Sequence, residues 1–155
     1  MALFFLFLHI VMVFWLVAGS FGGIVVRAQI RRAPDLAGKV YGLRLAWRLV
    51  RVYTLPGAIL AGLIGFYLVT ARGFGFSALW VRISSVLYLY MLAVTLFYLV
   101  PRLRRTLAAG EASLTAGAPT AELQSLAAAK LPGILSDVNA LGIILLTAMM
   151  VFHLP

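Results

Sequence analysis

The chain has no cysteine, which excludes disulfides, thiolate zinc sites and iron–sulfur clusters. Acidic residues number only four, and charged residues make up 11% of the chain, against about a quarter in soluble domains. No carboxylate pair falls inside an apolar stretch. No glycine-rich phosphate loop follows a strand, and no Ser/His/Asp set can be assembled, so an enzyme is not expected. The segment Arg72-Gly73-Phe74-Gly75-Phe76 resembles the start of an RNA-recognition strand. It lies between two apolar stretches rather than in a four-stranded sheet, so it reads as a turn.

What the chain has is apolar surface. It is 64% hydrophobic, with a mean hydropathy of +1.07. A soluble fold of this composition could not cover itself with polar groups, so the surplus faces lipid. Four stretches are long enough to cross about 30 Å of hydrocarbon as helices: residues 2–26, 53–71, 77–100 and 133–154. The expected fold is all-α, a single membrane domain over residues 1–155 built as an integral membrane four-helix bundle. The first stretch lacks a basic leader and is much longer than the h-region of a signal peptide, so it reads as a helix.

The net charge of +9 would suggest nucleic acid in a soluble protein. Here, seven of the thirteen Lys and Arg lie in residues 27–52 and four in residues 101–132. Those two connections necessarily share a side. The positive-inside rule makes that side the cytoplasm of a bacterial inner membrane, with both termini on the outer (periplasmic) side. The cations then meet lipid headgroups or water, and no nucleic acid is expected. Arg44, Arg48 and Arg51 share one helical face opposite Leu43, Trp47 and Val50. This predicts an amphipathic cytoplasmic segment that lies at the interface or extends the second span inward. Thr120 is placed to cap a short helix reaching Lys130.

Lipid gives no hydrophobic drive for helix association, so small residues must permit close approach. Gly57, Ala61 and Gly65 form such a stripe in the second span, and Gly19 and Gly23 in the first. They are expected to pack within the bundle or against another subunit. Pro56 suits the first turn of the second span, and Asp137 suits the helix N-terminus that opens the fourth.

His9, about seven residues into the first span, reads as hydrogen-bonded to a neighbouring helix. Met149 and His153 share a face of the fourth span, His153 at the outer surface and Met149 about 6 Å deeper, near the level of His9. A cluster of His9, Met149 and His153 is the alternative, binding haem b or, through His9 and Met149, copper. The expectation of no cofactor stands first.

Several local patterns carry a resemblance. They are Leu8-His9 followed by Gly19 and Gly22-Gly23, and Arg48, Arg51 and Tyr53-Thr54-Leu55-Pro56-Gly57 leading to Gly65. To these add Val100-Pro101-x-x-x-Arg105 and Met149-Met150-Val151-Phe152-x-x-Pro155. Together they resemble a bacterial family of predicted integral membrane proteins of unknown function (domain of unknown function 2269). The layout is also similar to CopD-type copper-resistance and HemJ-type haem-biosynthesis membrane proteins. The resemblance implies a four-helix bundle with His9 as the one position to carry over as a ligand. The family tends to end in Lys-Pro where this chain has His153-Leu154-Pro155. The lack of catalytic groups and the abundant helix-packing surface make a non-enzymatic accessory subunit the expectation, packing against other membrane proteins, an electron-transfer complex being one setting. The alternative is a haem- or copper-binding protein.

Overall fold

The computed structural model describes residues 1–73 and 78–152, and every regular element among them is a helix. In chain order these are α1 (Ala2–Arg32), α2 (Leu36–Ala71), α3 (Leu79–Ala116), α4 (Ala121–Ala128) and α5 (Leu131–Phe152). All but α4 are long and apolar enough to cross a membrane.

Length separates these four helices. With 22 residues, α5 rises about 33 Å, close to the hydrocarbon thickness. With 31, 36 and 38 residues, α1, α2 and α3 rise about 47, 54 and 57 Å, more than the membrane and its headgroup layers together. The excess lies at the end where the basic residues gather, called the positive end below. The amphipathic segment before the second span is thus a continuation of α2 rather than a separate helix. Much of the expected third connection is likewise helical, up to Ala116. Charge halts a helix inside lipid but not in water, so hydropathy placed the membrane boundary and not the helix end. The expected start of the third span at Ser77 lies outside the described residues.

Local chemistry sets the ends. α1 stops at Arg32, because Ala33 precedes Pro34 and is driven to an extended conformation. Asp35 then caps α2 by accepting from the Gly38 N–H at 2.8 Å. α3 closes on Gly117 at φ 72°, a left-handed C-cap that favours glycine. Thr120 caps α4, accepting from the Leu123 N–H, and its own N–H donates to the fully buried Ser113 hydroxyl at 3.0 Å.

α2 and α3 each carry one π-turn, at Val50–Thr54 and Thr95–Leu99. The Leu55 N–H reaches back to Val50 O, and the Val100 N–H to Thr95 O. Each turn is followed two residues on by a proline, Pro56 or Pro101. A proline ring inside a helix collides with the carbonyl four residues earlier, and widened turns are where helices absorb such disruption. Pro56 therefore opens the α-helical run Leu55–Ala71, as expected, within a helix that the π-turn continues backward. The carbonyl it cannot serve, Val52 O, instead accepts the Trp15 indole N–H at 2.6 Å.

The helices pack as two pairs. In the first, α1 lies on α2 so closely that a Cβ on Gly57 would stand 2.5 Å from the Leu16 backbone nitrogen, and one on Gly19 2.6 Å from that of Thr54. In the second, α3 meets α5, where Gly142 leaves room for Met91 and the Ser84 hydroxyl faces the Met149 sulfur. The Tyr88 hydroxyl joins the pairs by donating to Ala58 O at 2.9 Å. Met91, Ile143 and Leu146 form the shared core, flanked by Leu16, Val17, Leu87 and Tyr88. At the positive end the arms of α2 and α3 pack through Val40 and Gly110. There Arg44 forms a bidentate pair with Glu111, both contacts 2.7 Å.

Candidate functional site: a cleft between the helix pairs

Between the two pairs runs a cleft of about 500 Å³, within the range of about 300–1,000 Å³ typical of ligand sites. Its α5 wall extends from Pro132 to Leu146, 14 residue steps and about 21 Å of rise. The deep part is lined by the core residues Leu16, Met91, Ile143 and Leu146; the mouth, at the positive end, by Arg27, Arg31, Lys39 and Arg102. Residues of α4 cover one side of the mouth.

The four mouth cations are not equivalent. Arg27 is neutralised by Asp137 and also donates to Gly133 O at 3.1 Å. Asp137 therefore answers α1 rather than its own helix terminus, correcting the expectation for it. No carboxylate pairs with Arg31 or Lys39 among the described residues. Arg102 donates from Nη2 to Leu126 O at 3.4 Å, while its buried Nε has no partner.

Halfway down the wall is Asn139. Its Nδ2 donates to Thr95 Oγ1 at 3.0 Å and to Met91 O at 3.3 Å, tying α5 to the π-turn of α3. Its Oδ1 is buried without a partner, as is Thr54 Oγ1 in the π-turn of α2. Four buried side-chain polar atoms lack a hydrogen bond among the described residues, and three of them belong to residues of this cleft. Groups of this kind usually find partners. None of the three is marked as a site by the sequence alone. The signal for Thr54 is a hydroxyl two residues before a proline in an apolar run. For Arg102 there is none apart from charge.

The fourth such atom is His9 Nδ1. His9 is buried and turned toward α2, beside the Ala61 backbone. A Cβ on Gly65 would lie 3.1 Å from its Cε1. Met149 is buried against α3, so these two side chains have different neighbours. His153 lies outside the described residues. No group of three or more His, Cys, Asp or Glu is arranged to hold a metal among the described residues.

The small-residue stripes divide. Gly57, Ala61 and Gly65 face α1, and Gly19 faces the π-turn of α2. Gly23 lines the cleft, with nothing within 4 Å of where its Cβ would be. Of the basic triad, Arg44 is committed to Glu111, while Arg48 and Arg51 are exposed.

No curated protein and no solved structure matches the chain. A family model does match, over residues 3–154. Four apolar helices and that near-complete match place the chain in DUF2269, a family of predicted integral membrane proteins.

Proposed function

We propose that this is a non-enzymatic accessory protein of the bacterial inner membrane, and that its working part is the cleft, which holds a membrane-resident guest. The positive end faces the cytoplasm and the termini face outward, following the charge asymmetry. The observation that carries this reading is the convergence of Thr54, Arg102 and Asn139. They come from three different helices, line one cleft, and each holds a buried polar atom without a partner. Polar groups left unpaired at this depth are costly, and a guest with polar atoms at these levels offsets that cost. Packing against other membrane proteins would use the outward apolar faces, since the Gly57–Gly65 stripe is already covered by α1.

Native mass spectrometry of detergent-purified protein tests this. Wild type is expected to carry one non-covalent organic guest per chain, and Gly23→Phe, whose ring would enter the cleft, is expected to lack it. A wild type with no guest above the Gly23→Phe background overturns the reading.

A second reading rests on His9 Nδ1, the one buried side-chain polar atom outside the cleft that lacks a hydrogen bond among the described residues. A b-type haem does not fit there, because the ring is packed on α2 with no face open to a macrocycle. A Cu(I) ion needs one imidazole nitrogen and a soft neighbour. Met149 could supply the sulfur only after leaving Ser84. Copper bound by wild type and not by His9→Ala, in elemental analysis, supports that reading; equal copper in both removes it.

A further inference from the structure

We propose that the guest is an acidic phospholipid of the leaflet at the positive end, with its phosphate at Arg31, Lys39 and Arg102 and one acyl chain running down the cleft. The proposal rests on reading the cleft as a guest site and gives that guest a chemistry.

Depth is the first argument. One leaflet contributes about 15 Å of hydrocarbon and its headgroup layer a further ~5–7 Å, together about 21 Å. The Pro132–Leu146 wall has that same rise of about 21 Å. A chain anchored by its headgroup at the mouth therefore ends at Leu146, where the core residues Met91, Ile143 and Leu146 close the cleft.

Charge is the second. Arg27 is balanced by Asp137, but Arg31 and Lys39 have no carboxylate among the described residues, and Arg102 keeps a buried N–H unbound. These three cations come from α1, α2 and α3. A phosphate accepts from several donors at once, whereas a carboxylate with two oxygens would leave part of this set unanswered. A zwitterionic headgroup has a phosphate too but brings its own cation, so it leaves the charge of this set unbalanced.

The cleft is partly open along its length, so a second chain can remain in the bilayer.

The test reconstitutes the protein in nanodiscs of equal phosphatidylglycerol and phosphatidylcholine, then releases it for native mass spectrometry. Wild type is expected to retain one phosphatidylglycerol. Arg31→Gln and Lys39→Gln are each expected to lower its preference over phosphatidylcholine by roughly fivefold, about the effect of one basic residue near an anionic lipid surface. Gly23→Phe is expected to retain neither lipid, and Gly23→Ala, whose methyl meets nothing within 4 Å, to keep phosphatidylglycerol with a melting temperature no lower than that of wild type. A guest that Gly23→Phe excludes but that is neutral, a fatty acid or a polypeptide overturns the lipid assignment and leaves the cleft reading standing. Gly23→Phe that retains the same lipid as wild type overturns both. Inorganic phosphate raising the melting temperature as much as phosphatidylglycerol would make this a site for free phosphate and also overturn the assignment.

Discussion

Trp15 and Val52 are joined across α1 and α2 by an indole N–H donating to a backbone carbonyl at 2.6 Å. The carbonyl is available because Pro56, four residues on, has no N–H to give it. The same Trp15 ring stacks on Tyr53, with centroids 5.1 Å apart. A defect in one helix is thus answered by its neighbour, and the answer fixes the register of α1 on α2.

Trp15→Phe keeps an aromatic ring but leaves Val52 O unpaired, and is expected to destabilise the bundle by about 1–3 kcal/mol. Pro56→Ala restores the helix's own donor, so Trp15→Phe should cost less in that background. A double-mutant cycle by reversible denaturation in mixed micelles measures the coupling. Additive costs would show that Pro56 and Trp15 are unrelated.

Two glycine-to-alanine changes should have opposite signs. At Gly57 the added methyl meets the Leu16 backbone, and overpacking of this kind costs about 1–3 kcal/mol. At Gly23 the methyl meets nothing within 4 Å, and the helix gains roughly 0.5–1 kcal/mol from the lost glycine. The same denaturation measurement decides. Equal costs at the two positions would mean that the packing of α1 on α2 is misassigned.

The arms of α2 and α3 outside the membrane should loosen in acid. Two hydrogen bonds from Arg44, and its charge, hold the Glu111 carboxyl below the usual glutamate range. A group depressed in the folded state stabilises above its unfolded pKa, and that contribution fades as pH falls through the folded value. The Arg44 guanidinium, pushed up by the same partner, stays charged throughout. The opening equilibrium of amides over residues 36–49 and 100–116, read from hydrogen exchange corrected for its intrinsic pH dependence, should therefore be flat at neutral pH and rise below the ordinary glutamate pKa of about 4.3. Both groups are exposed, so the rise is small and shrinks with salt. Glu111→Gln should abolish the pH dependence; an unchanged acid response in that variant would contradict the assignment.

The four spans, the shared side of the two basic connections and the Thr120 cap are written locally, in runs of apolar residues and single capping side chains, and so could be read from the sequence. The full lengths of α2 and α3 could not, because hydropathy reports the lipid boundary while a helix continues into water. The cleft was hidden for a different reason. Arg27 and Asp137 are 110 residues apart, and Asn139 and Thr95 are 44 apart. Periodicity along one helix says nothing about which neighbour it meets. Read alone, Asp137 suited its helix terminus. It was re-explained by a residue on α1.

The mouth of the cleft lies on whichever side of the membrane holds both basic arms, so sidedness is the point on which the account turns. The chain has no cysteine of its own, which makes single-cysteine labelling in intact bacterial cells direct. With a membrane-impermeant maleimide, Ala37→Cys and Ala118→Cys are expected to react only after lysis, and Leu3→Cys before it. Labelling of Ala37→Cys or Ala118→Cys in intact cells would contradict the account.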